Sequence, residues 1–171
     1  MKNFVAALVA GLLMFIWGFV AWVVLPMHKV DVYQFADENA VMEVMQANSS
    51  QSGRYVIPGD EADLVMGKPF ASVNLLKTGH HAGQGQMMLQ SVIGSVIMAY
   101  LMIMLLSKTS GLGFVEKVGF VTLGGVLLGL SGSFMYWNWF SYPSGYSLMI
   151  LIDSIIAWAI AGVAIAKLSD T

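Results

Sequence analysis

The sequence predicts an all-α transmembrane fold: a four-helix bundle with a small α/β extracytoplasmic cap between helices one and two. Three observations carry this prediction. Apolar residues gather into four blocks of roughly 20 residues, the length that crosses a ~30 Å hydrocarbon core. Only 11% of the residues are charged, against ~25% in an average soluble domain. One long polar interval, residues 27–86, separates the first block from the other three. The division is therefore residues 1–26 as transmembrane helix 1, 27–86 as the cap, and 87–171 as transmembrane helices 2–4.

The first block, Phe4 to Leu25, contains no charge and rises ~33 Å as a helix. It is expected to stay in the membrane. It is longer than a signal-peptide apolar core, and no small-x-small cleavage site follows it. Pro26 is expected to end the helix. The second block runs from Met87 to Leu106, the third from about Val118 to Trp137, and the fourth from about Ser147 to Ala166. Short links predict antiparallel neighbours, so spans two, three and four are expected to form a tight up-down set. Lys2, Lys108, Lys117 and Lys167 flank the spans on one side, and the 138–146 link has no positive charge. The positive-inside rule then places both termini in the cytoplasm and residues 27–86 outside.

In the cap, Asp37 can cap a helix running to about Ala47, with Val41, Val44 and Met45 on one face. Arg54 to Ile57 reads as a strand stopped by Pro58-Gly59, and Ala71 to Leu76 as a second strand.

Asp153 is an acid well inside a span, so it is the first functional candidate. Placed about six residues into helix four, it is expected to turn inward. The expected hydrogen-bonding partners are Ser131, Ser133 or Trp22. Its bland role is to pin two helices, and its sharper role is to handle a proton or ion. His28, His80 and His81, with Met27, Met87 and Met88 near them, are imidazole and thioether groups that suit copper. Their spacing fits no metal motif, so no bound metal is expected. Tyr136, Trp137, Asn138, Trp139 and Tyr142 form an aromatic turn of the kind that seats at a membrane interface. Gly125, Gly129 and Ser133 on span three repeat small residues every fourth position. Ala7 and Gly11 on span one and Ala157 and Ala161 on span four do the same, which suits close helix contact.

The chain has no cysteine, so thiolate metal sites and cysteine nucleophiles are excluded. A net charge of −2 excludes a basic nucleic-acid binder. No nucleophile–base pair or P-loop is present. Gly79-x-x-x-Gly83-x-Gly85 lacks the strand–turn–helix setting of a nucleotide loop.

Trp17-Gly18, Leu25-Pro26, the Tyr-Trp-Asn-Trp segment at 136–139, Asp153 and Trp158-Ala-Ile-Ala-Gly162 form one ordered set. This set resembles an uncharacterised family of small four-helix bacterial inner-membrane proteins. The resemblance implies that location and carries no activity, substrate or cofactor. The expected function is that of a non-catalytic accessory or scaffolding subunit of a membrane complex. Its partners would be the lipid bilayer and either another protein or further copies of itself, with no cofactor. The alternative is a small oligomeric ion or proton carrier using Asp153. The third is outer-face metal or haem handling by His80 and His81.

Overall fold

The computed structural model describes residues 1–60, 67–80 and 82–171. The chain divides into two compact units, one of residues 1–32 with 84–171 and one of residues 33–83. Residues 27–32, assigned above to the cap, thus cluster with the long helices.

The larger unit holds α1 (Lys2–Phe19), α3 (Gln84–Leu106), α4 (Phe114–Phe140) and α5 (Ser144–Leu168). Among the described residues these four helices, α1 with its continuation to Val24, are long and apolar enough to cross a membrane. α1 does not end at Pro26 as a plain α-helix. It widens into a π turn over Val20–Val24, where Leu25 N donates to Val20 O at 2.7 Å. Leu25 is extended, as the residue before a proline must be, and Pro26–Lys29 then makes one 3₁₀ turn. α4 starts where Glu116 Oε2 accepts from Gly113 N at 2.7 Å. It ends at Ser141, which takes the left-handed conformation (φ 52°), and Pro143 prevents continuation.

Several boundaries differ from the sequence reading. α4 runs on to Phe140, so Tyr136, Trp137, Asn138 and Trp139 lie on the last turns of a helix rather than in a turn. The link is only Ser141–Pro143, because the aromatic residues carry no breaker among them. α5 accordingly starts at Ser144.

The helices pack side by side in the order α3–α1–α5–α4. The pair α4–α5 is antiparallel, as the short link requires. α3 meets α4 only marginally, so the expected tight set of spans two, three and four does not form. The physical reason is the placement of small residues. Ala6, Ala7 and Ala10 are fully buried on α1, which therefore sits between two neighbours. A Cβ on Gly11 would strike the Val96 backbone on α3. On the other side of α5, Gly125 accepts the Trp158 side chain and Gly162 faces Val118 and Val121. One shared core results, with Ile103, Val121, Trp158 and Ile165 among its large members. Both termini meet at one end. There Lys2 Nζ donates to Asp170 Oδ1 at 2.8 Å, and Asp170 N donates to Asn3 Oδ1 at 2.8 Å.

The smaller unit holds α2 (Glu38–Ala47) and an antiparallel pair, β1 (Gly53–Ile57) and β2 (Ala71–Leu75), with Tyr55 opposite Val73. Asp37 caps α2 as expected, accepting from Ala40 N at 2.9 Å. Lys77 closes its other end by donating to Gln46 O at 3.1 Å and Ser49 O at 2.8 Å. Between helix and strands lies a cleft of about 220 Å³ lined by Met45, Tyr55, Ile57, Val73 and Leu75. The helix and both strands stand within a residue or so of their expected positions, because caps and turn residues are local signals. Glu61 and Asp63, between the strands, fall outside the described residues.

The Gly125 contact is directly testable. Gly125→Ala places a methyl group against Trp158 Cβ, an atom near the backbone that cannot swing away. It should destabilise the protein by about 1–3 kcal/mol. Gly132→Ala meets open space on the same helix and should not lower stability. Thermal unfolding of the two variants in one detergent compares them.

Candidate functional site: an acid held between two helices and a turn

Asp153 lies roughly nine residues into α5, or ~13 Å from its start, deeper than the shorter helix had suggested. A carboxylate on an apolar helix needs donors, because unpaired burial costs several kcal/mol. Its two oxygens find them on residues of the α1 side. Trp17 Nε1 donates to Oδ1 at 2.6 Å. His28 Nε2 lies 3.2 Å from Oδ2. The Asp153 side chain is 19% exposed and that of His28 only 2%. The imidazole is covered on one face by Trp22, whose ring stacks on it at 3.9 Å and 7°.

Local structure brings His28 to this place. The π turn and the single 3₁₀ turn after Pro26 lead the chain onto α5. Asp31, two residues beyond the 3₁₀ turn and at φ 58°, then anchors it. Its Oδ2 accepts from Gly145 N at 3.0 Å, capping the first turn of α5 from outside that helix. A Cβ on Gly145 would collide with that carboxylate, so glycine is required for the close approach.

The expected partners of Asp153 are elsewhere. Ser133 is buried but donates to Gly129 O of its own helix at 2.7 Å. Ser131 is exposed, and Trp22 serves His28 rather than the acid. The reason is rotation around α5. Ser154, the next residue, points to α4 and donates to Gly125 O at 2.9 Å. Asp153, ~100° away on the helix, therefore faces α1. Sequence reasoning had grouped His28 with the other histidines. The available signal was its place just after Pro26, near the end of a span that shares a bundle with the buried acid.

The hydrogen positions follow from satisfaction. If His28 Nε2 carries the hydrogen, both Asp153 oxygens accept and Nδ1 is a bare lone pair. If the hydrogen sits on Asp153, Nδ1–H becomes a buried donor with nothing to accept it. His28 Nδ1 has no hydrogen-bond partner among the described residues, and a buried orphan N–H is rarer and costlier than an orphan acceptor. The first arrangement is favoured.

Among the described residues, none of the other candidates hydrogen-bonds to Asp153 or His28. His81 falls outside the described residues, and His80 is described and exposed. Among the described residues no group of three His, Asp or Glu side chains converges as a metal site. The aromatic residues form a chain of ring contacts: Phe140 to Tyr136, Tyr136 to Tyr142, and Tyr142 to Tyr146. Trp137 Nε1 donates to Ser144 Oγ at 3.0 Å, and Trp139 is exposed.

Trp17→Phe keeps an aromatic ring but removes the indole N–H, one of the two donors to Asp153. It should cost about 1.5–3 kcal/mol, the range for a hydrogen bond to a charged group. Asp31→Ala removes the cap on α5 and should cost about 1 kcal/mol. Urea or thermal unfolding in detergent measures both. No protein-family model, no curated protein and no solved structure matches the chain, so the site is read from its own geometry.

Proposed function

We propose that the chain is a multi-pass protein of the bacterial inner membrane that serves as a non-catalytic accessory subunit of a membrane complex. In this reading both termini are cytoplasmic and residues 27–86 are extracytoplasmic. The four apolar helices and the lysines around Lys2, Lys108, Lys117 and Lys167 support the membrane placement.

The observation that carries the accessory role is the outer face of α4. Leu123, Leu127, Leu130, Phe134 and Trp137 are all exposed and recur at alternating spacings of four and three. That is the spacing of a seam that meets another helix. Leu130, Phe134 and Trp137 also border an apolar groove of about 220 Å³ whose other wall is Ser147, Leu148 and Leu151 of α5. The occupant proposed for it is a membrane helix of a partner protein.

A second reading, a small oligomeric carrier of protons or ions, is favoured by the contact of His28 with Asp153. Native mass measurement on gently extracted protein separates the two. A stoichiometric protein partner, lost in Leu130→Trp while the isolated chain keeps its stability, is the expected outcome. A homo-oligomer without a partner supports the carrier instead.

Orientation is checked by cysteine labelling, since the chain has no cysteine of its own. An impermeant reagent applied to intact cells should modify Ser50→Cys and not Ser110→Cys. Both positions are exposed.

A further inference from the structure

We propose that His28 is a proton-accepting base, that Nδ1 is the atom that takes the proton, and that Asp153 is the positioning residue that selects its tautomer. This rests on the proton-handling reading of the cluster and moves its reactive atom from the acid to the imidazole.

Three observations combine. First, Asp153 has two oxygens and two facing N–H groups, Trp17 Nε1 at 2.6 Å and His28 Nε2 at 3.2 Å. Trp17 can only donate. Second, the other ring nitrogen, Nδ1, is buried without a partner among the described residues. Third, a carboxylate on one imidazole nitrogen with the opposite nitrogen bare is the arrangement that poises a histidine as a base.

The proton balance is simple. Hydronium delivers a proton to the Nδ1 lone pair, leaving water, and the ring becomes imidazolium. The Nε2 hydrogen stays on the Asp153 contact, so the new positive charge forms beside a carboxylate. Loss of the Nδ1 proton restores the starting state. Alternatively, transfer of the Nε2 hydrogen to Oδ2 leaves a neutral ring beside a neutral acid.

Among the described residues, the segments packed against the ring carry few charges. α5 supplies Asp153, while Tyr146 near its start is engaged with the Tyr142 ring. The π turn supplies Trp22 and no ionisable group. On its own segment, Lys29 is exposed and Asp31 is bonded to Gly145 N. Trp22 is 52% exposed and lies over one face of the ring; in this proposal water reaching Nδ1 both delivers the proton and accepts the new N–H, which no described side chain does.

Asp153→Asn discriminates a positioning role from a merely structural one. An amide has one acceptor. Trp17 must take it, which turns the amide N–H₂ toward His28 Nε2. That nitrogen must then accept, and the ring hydrogen moves to Nδ1. The base is thereby occupied although both hydrogen bonds survive. Adding Trp17→Phe frees the amide oxygen for His28 and returns the hydrogen to Nε2.

The test is nitrogen NMR of the full chain with ¹⁵N-labelled histidine, in a His80→Gln/His81→Gln background that leaves His28 as the single imidazole. The expected result is a neutral ring carrying hydrogen on Nε2. On acidification it should gain a proton at Nδ1 while the Nε2–H is kept. Asp153→Asn should shift the neutral ring to Nδ1–H, and Trp17→Phe/Asp153→Asn should shift it back. A neutral ring with hydrogen on Nδ1 in the Asp153 protein, or no proton uptake at any pH at which the protein stays folded, overturns the proposal. Neither measurement depends on the Asp153 variants folding. Proton flux into liposomes is a separate readout. Its absence with the NMR result intact defeats the carrier reading and leaves the base in place.

Discussion

A single carboxylate on an apolar helix organises one half of the larger unit. Asp153 has to find two donors, since leaving either oxygen bare in an apolar setting costs more than most single contacts return. Trp17 lies on α1, and His28 lies past its end on a different backbone geometry. Meeting both demands sets how α1 lies against α5 and where its tail goes. The π turn at Val20–Val24, the extended Leu25 and the 3₁₀ turn at Pro26–Lys29 are the local means by which the tail reaches the acid. Asp31 then fastens the same tail to the start of α5. Asp153 and Asp31 thus tie α1 and its tail to α5 toward one end, and Asp170 ties the start of α1 to the end of α5 through Lys2 and Asn3.

The rest of the helical unit is governed by size rather than polarity. In a membrane, apolar surface alone does not select a neighbour, because lipid tails are as apolar as leucine. Selection falls to close approach. Alanines on α1 and glycines on α4 let backbones and large side chains come together, as at Gly125 and Trp158. α3 and α4 meet only marginally, with Met102 lying against Gly124 among their contacts. They consequently stand at the two ends of the row, each with a long apolar face turned outward. That outward face on α4 is what the accessory role would use. The inward polar cluster is what a proton role would use. The two are on different surfaces and do not compete.

Much of the architecture was legible in the sequence. The presence of four apolar spans, the capped helix after Asp37 and the strands around Tyr55 and Val73 all rest on local rules of hydropathy, capping and period, and the structure repeats them. Differences arose at helix ends and in which helices meet. The Tyr-Trp-Asn-Trp segment was read as a turn from its interfacial chemistry, but nothing in it stops a helix until Ser141 and Pro143. That added a turn to α4, lengthened α5, and moved Asp153 deeper than expected.

The sequence by itself determined that four helices are apolar enough for a membrane, that a small mixed unit interrupts them, and that Asp153 would need polar company. Only the tertiary structure decided whose company. Helices that are apolar on all sides do not announce which side meets which neighbour, so Ser131 and Ser133 were as plausible on paper as Trp17 and His28. The order α3–α1–α5–α4 turns Asp153 to α1 and Ser154 to α4, about a quarter-turn apart. It also buries one nitrogen of His28 without a partner among the described residues. That nitrogen's setting depends on three segments meeting in space, and no stretch of the chain encodes it alone.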